Sequence, residues 1–139
     1  MIRTPLATGN FTATFNTTLS AVPTAAPAIG ATATVKNLQC ATLTDQVVFS
    51  LTFELAISYQ SGGTVTDTFT VPYANGLSVP GTVAGMACDI AATITGGTVN
   101  INVGSTLASW SISFSITANT FFPPPQAIDV DSNIAQVGQ

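Results

Sequence analysis

The stretch VVFSLTFELAISY, Val47 to Tyr59, constrains the fold more than any other part of the chain. Val47, Phe49, Leu51, Phe53, Leu55, Ile57 and Tyr59 alternate there with Val48, Ser50, Thr52, Glu54, Ala56 and Ser58. A period of two sustained over that length is the pattern of a strand with one buried face, and no helix puts all seven apolar residues on one side. Such a strand needs a second apolar surface to cover it, so the rest of the chain must supply a facing layer.

The same pattern recurs. In WSISFSITANTF, Trp110, Ile112, Phe114, Ile116 and Ala118 alternate with hydroxyl and amide residues. After Ser61-Gly62-Gly63, the segment TVTDTFTV alternates as far as Pro72, which is expected to end it; the pair reads as a hairpin with a glycine-containing loop. Phe11, Ala13, Phe15, Thr17 and Leu19 form an earlier strand, and Ala31, Ala33 and Val35 another. Met86, Cys88, Ile90, Ala92 and Ile94 share a strand face that Gly96-Gly97 is expected to close, with Val99, Ile101 and Val103 forming a separate short strand beyond. Seven strands without helical periodicity predict an all-β, single-domain antiparallel β-sandwich or jelly-roll-like fold. Residues 1–9 read as an extended N-terminal arm, 10–122 as the sandwich, and 123–139 as a Pro-led C-terminal tail. Between the first two strands, AVPTAAPAIG is expected to be a Pro-punctuated loop hugging a sheet edge.

Composition narrows function. Only 6% of the 139 residues are charged, against about 25% in an ordinary soluble domain. Thr and Ser carry the polarity instead, and threonine suits pleated sheet. Arg3 and Lys36 are the only basic residues, too few to neutralise a run of phosphates, so nucleic acid is not an expected partner. The formal charge of −4 leaves little repulsion between copies and permits close packing of many subunits. The start MIRTPLATGNF has no continuous apolar segment like that of a secretory leader, and no run is long enough for a membrane-spanning helix. Production without a signal peptide and no membrane insertion are the expectations. The sequons at Asn10 and Asn16 are best explained by chance in a threonine-rich chain.

The inventory for chemistry is short. With no histidine the chain lacks the usual general base and the commonest metal ligand, so Ser-His-Asp and Cys-His arrangements are ruled out. The carboxylates Asp45, Glu54, Asp67, Asp89, Asp129 and Asp131 are scattered. Asp67 stands out because it shares parity with Val65, Phe69 and Val71, which implies either a role or a bulge beneath it. Asp129 and Asp131 lack the further oxygen ligands and turn glycine of a calcium loop. Catalytic, cofactor and metal residues are therefore all expected to be absent. Cys40 and Cys88 show no CxxC spacing, and Cys88 falls on a core-facing parity. Free thiols, an internal disulfide and bridges between subunits all remain open, with the first two preferred. Pro123, Pro124 and Pro125 form a stiff extended spacer. Beyond them Ile128 and Val130 alternate, so this tail is a candidate for adding to a neighbouring subunit's sheet edge.

Several turn motifs carry a resemblance. A strand ending in an aromatic, Tyr59, is followed by the glycine-turn hairpin, by Val71-Pro72-Tyr73, by Val79-Pro80-Gly81 and by Gly85-Met86. Over roughly residues 40–122 this order resembles the SPOCS-type domain of spore-coat assembly proteins from endospore-forming bacteria, although this chain carries much less charge. The resemblance implies a β domain used in layers on a spore, made without a signal peptide and with no enzymatic residues to carry over. The combined expectation is a non-enzymatic, self-assembling subunit of a spore-surface or extracellular filament or coat layer. Its partners are copies of itself, with other spore-surface proteins as further candidates. A viral capsid or decoration subunit is the alternative, and a carbohydrate-binding module ranks below it because most aromatics, Trp110 included, follow core parity.

Overall fold

The alternating segments become six strands and no helix within residues 3–122, the part of the chain that the computed structural model describes. They are β1 (Ala7–Thr18), β2 (Gly30–Leu43), β3 (Gln46–Gln60), β4 (Thr64–Ser78), β5 (Ala87–Ile101) and β6 (Leu107–Phe121). Two antiparallel three-stranded sheets result, ordered β1-β6-β5 and β2-β3-β4. The most regularly patterned strands, β3 and β6, take the central positions, where the inward face is buried almost without a break.

Burial of the inward faces drives the two sheets together. Phe53, Ile57, Tyr59 and Val47 from one sheet and Phe114, Ile116 and Ala118 from the other are at most 1% exposed. Aromatic contacts cross the interface: Phe11 meets Phe49 edge-on at 5.2 Å, Phe53 meets Phe114 at 5.4 Å, and Tyr73 meets Phe114 at 5.3 Å. The T-shaped geometry sets the positive edge of one ring against the negative face of the other. Trp110 lies in this core with its indole Nε1 donating to Thr17 Oγ1 at 2.9 Å, which satisfies the one polar atom it buries. The outward face of the β1-β6-β5 sheet carries rows of hydroxyls and amides, such as Asn10, Ser115 and Thr93 in register across three strands.

The strand count is six rather than seven because Gly96-Gly97 does not close a strand. The ladder to β6 continues through a bulge between Ile94 and Gly96, so the two expected segments are one strand. Glycine is needed there for close approach: a Cβ on Gly97 would lie 3.1 Å from the Ser111 carbonyl oxygen. The strand ends at Ile101, and Val103, expected on the same face, is exposed in the following turn. It also begins at Ala87, leaving Met86 in the preceding turn. Pro72 does not end a strand either. It lies opposite Thr52 in the middle of β4, and β4 is an edge strand, where a residue without an N–H is tolerated with its nitrogen turned away from the ladder.

Both ends of the sandwich are closed by chain crossing between sheets. At one end the 19–29 loop runs from β1 to β2, with Pro23 fully buried and its carbonyl accepting from Gly104 N. Thr24 N donates to Gln60 O, and Ser61 Oγ to Val22 O. At the other end the 79–86 turn passes from β4 to β5. Asp45, at the β2–β3 turn, donates its N–H to Thr82 O, accepts Val79 N at its carbonyl and accepts Gly81 N at its carboxylate. Gly81 has φ 91°, which a side chain would strain. Beneath the turn, Thr82 Oγ1 is hydrogen-bonded to Thr120 Oγ1, which is hydrogen-bonded in turn to Thr4 Oγ1. The segment read as an N-terminal arm is therefore tied to its own domain as far as it is described: Ala7 to Gly9 belong to β1, and Thr4 N donates to Thr120 O.

Candidate functional site

Each sheet has two edges, and when the sheets face each other these edges meet along two seams, β1 beside β4 and β2 beside β5. Backbone ladders stop at the seams, so side chains must join the sheets there. Asp67, Cys40 and Cys88, singled out in the sequence, fall on them.

The β1–β4 seam is fastened at both ends. Near one end the Leu77 side chain of β4 lies over Gly9 of β1, where a Cβ would meet Leu77 Cδ1 at 2.6 Å. Near the other stands Asp67, inward in parity as its neighbours require. The β3–β4 register runs past it without a bulge. Its carboxylate instead accepts three hydrogen bonds, from Ser20 Oγ at 2.5 Å, Ser20 N at 2.9 Å and Tyr59 Oη at 2.6 Å. Ala21 N donates to the Tyr59 oxygen at 3.1 Å, so Asp67 and Tyr59 together anchor the chain leaving β1. Partial burial pushes the Asp67 carboxyl up, but the hydrogen bonds from Ser20 and Tyr59 outweigh it and hold the group below its ordinary value.

A pH dependence follows. An aspartate in the unfolded chain titrates near 3.9, and here the folded value is lower. The contribution of Asp67 is therefore complete above about pH 4 and lost as the pH falls through the folded value. The Asp67→Asn variant is expected to have a lower urea midpoint than the native protein at pH 6, with the difference closing below pH 4. A difference that stays constant from pH 6 to pH 3 would contradict this assignment.

The β2–β5 seam is fastened at one end only. Cys40 and Cys88 form a disulfide across it, and Thr42 Oγ1 donates to Met86 O at 2.9 Å beside the bridge. Further along, both strands depart from regular geometry. β2 carries a bulge between Lys36 and Gln39, with Asn37 at φ 56°, and β5 carries its bulge at Ile94–Gly96. Bulges bend a strand and increase its local twist. Beside these bulges lies a cleft of about 510 Å³. Ala31 and Ala33 form one wall, Ile94 and Val99 the other, and Trp110 and Ile112 the floor.

The remaining carboxylates are dispersed. Asp89 is paired with Arg3 at 2.6 Å, and that guanidinium also lies over the Phe121 ring. Both partners are well exposed, and such pairs contribute little to stability. Glu54 is exposed on the outer face of β3. Asp45 is engaged by the 79–86 turn. Among the described residues, no three His, Cys, Asp or Glu side chains converge as a metal site would require. Asp129 and Asp131 lie outside the described residues, as do Pro123, Pro124, Pro125, Ile128 and Val130.

The seams thus hold Asp67 with Ser20 and Tyr59, and the Cys40–Cys88 bridge with Thr42. Neither protein-family models, nor curated proteins, nor solved structures show similarity to this chain. Function must therefore be argued from the seams and faces themselves. Sequence reading had singled out Asp67 but not its partners Ser20 and Tyr59, which lie on a distant loop and a neighbouring strand. The inward parity of Asp67 opposite a strand ending in tyrosine was the only local signal. The Arg3–Asp89 pair joins residues 86 apart and left no signal at all.

Proposed function

We propose that this protein is a non-enzymatic structural subunit that self-assembles into a filament or coat-like layer, at a spore surface or another extracellular structure, with its C-terminal segment contacting neighbouring copies. The observation that carries this reading is the combination of a cross-linked, end-closed frame with broad outer faces of serine, threonine and asparagine. Such faces remain wettable without charge, and copies can approach one another with little repulsion. Tyr59, an aromatic that a carbohydrate-binding reading would need on the surface, is fully buried with its hydroxyl committed to Asp67.

The spore-surface setting rests on the resemblance over residues 40–122 and on the disulfide, which favours an oxidising location. Negative-stain microscopy of the purified full chain is the direct test. Filaments or sheets of regular repeat are expected. Dispersed single particles at every concentration would overturn the reading. A gene flanked by spore-formation genes would agree with the setting, and one flanked by phage genes would transfer the same assembly chemistry to a virion.

A further inference from the structure

The two seams differ in a way that gives the proposed assembly a specific joint. β1–β4 carries the tie of Asp67 to Ser20, while β2–β5 is locked at Cys40–Cys88 and bordered by a cleft at Ala31–Ala33 and Ile94–Val99. Among the described residues the outer edge of β2 from Gly30 to Lys36 has no ladder partner, although its other edge is paired residue by residue with β3. Ala33, Ile94 and Val99 remain half-buried beside it. An unpaired edge bordering an apolar cleft is what an added strand requires: backbone groups to bond and a floor for alternate side chains.

We propose that this cleft receives the 127–131 segment of a second copy, Ala127-Ile128-Asp129-Val130-Asp131, as a strand added to β2. The proposal rests on the self-assembly reading above. Three observations select this occupant. Ile128 and Val130 share one strand face and Asp129 and Asp131 the other, so the aliphatic pair would cover Ile94 and Val99 while the carboxylates stayed in water. Pro123 to Pro125 cannot donate to a ladder, which places the first residues able to pair well beyond Phe122. Reach then keeps the chain's own Ile128 from the far end of its own cleft, at Gly97 and Val99. Phe121 pairs with Ala87, whereas the cleft residue Gly97 pairs with Ile112. That separation along β6 is about 30 Å at roughly 3.3 Å per residue. Ile128 is six residues past Phe122 and reaches at most about 22 Å from it when fully extended. A neighbouring copy is not bound by this limit. Because donor segment and acceptor cleft are different surfaces, the contact is heterologous, and repeating it generates an open chain of subunits unless the rotation closes a ring.

Two full-length preparations test the joint. In the first, differently tagged Ala33→Cys and Ile128→Cys chains are mixed and oxidised. A cross-linked heterodimer is expected, and the double variant Ala33→Cys/Ile128→Cys should give a ladder of covalent multimers on a non-reducing gel. An exclusively monomeric, internally bridged double variant would overturn the choice of a second copy as donor. In the second, Ile128→Asp/Val130→Asp should sediment as a monomer, at least tenfold depleted in polymer, with a thermal midpoint matching that of dissociated native protein. Undiminished polymer in this variant, together with no heterodimer in the first preparation, would overturn the joint while leaving self-assembly intact. A native chain that never polymerises would overturn both.

Discussion

Removing the Cys40–Cys88 disulfide, by the double change Cys40→Ser/Cys88→Ser, is expected to lower unfolding stability by about 4 kcal/mol, the chain-entropy value for a loop of this size. The bridged cysteines are 48 residues apart in sequence, so the cross-link restrains a large part of the unfolded chain. It also acts where the folded protein has no backbone ladder among the described residues: β2 and β5 belong to different sheets, with the Thr42–Met86 hydrogen bond beside the bridge at that end of the seam. Urea titration of the oxidised protein and the double serine variant would measure the effect. The native slope with denaturant should change as well, because the unbridged chain exposes more surface on unfolding. A midpoint indistinguishable from that of the oxidised protein would show that the seam holds without its bridge.

An effect of similar size is expected from Phe53→Ala, at about 3–5 kcal/mol. Phe53 is fully buried at the centre of β3. Its ring meets Phe114 edge-on across the sandwich and contacts Phe15 and Tyr73 at 6.3 and 6.1 Å. Truncation therefore removes contacts to both strands of the facing sheet that carry aromatics, and leaves a cavity that the three surrounding rings are too rigid to fill. Phe53→Leu, which keeps most of the volume, should lose much less. Equal losses for the two substitutions, read by thermal or urea unfolding, would mean that ring packing is not what joins the sheets.

How much of this architecture was legible depended on how local its cause is. The alternation in Val47–Tyr59 and Trp110–Ala118 marks β3 and β6 directly, because each buries a full face at period two. The same rule misreads Gly96-Gly97. A glycine pair commonly means a turn, but here it allows the β5 backbone to pass close to Ser111 within a continuing ladder. Pro72 misleads for a related reason, since its effect depends on whether the strand lies at an edge, a property of topology rather than of neighbouring residues. Asp67 was visible as an acid on an apolar stripe. Its meaning was not, because Ser20 arrives from 47 residues away and only the folded chain brings it there. Cysteine spacing left the state of Cys40 and Cys88 open, and their pairing is settled by the antiparallel approach of β2 and β5. The turn motifs Val79-Pro80-Gly81 and Gly85-Met86 carry β4 over to β5 and cap one end of the sandwich on Asp45 and Thr120, contacts that no local pattern announces.

Sedimentation velocity of the purified full chain across a hundredfold range of concentration tests the central proposal, self-assembly, most directly. Rapidly sedimenting polymer that grows with concentration is the expected result. A single species at the 14.1 kDa of one chain, unchanged at every concentration, would contradict it.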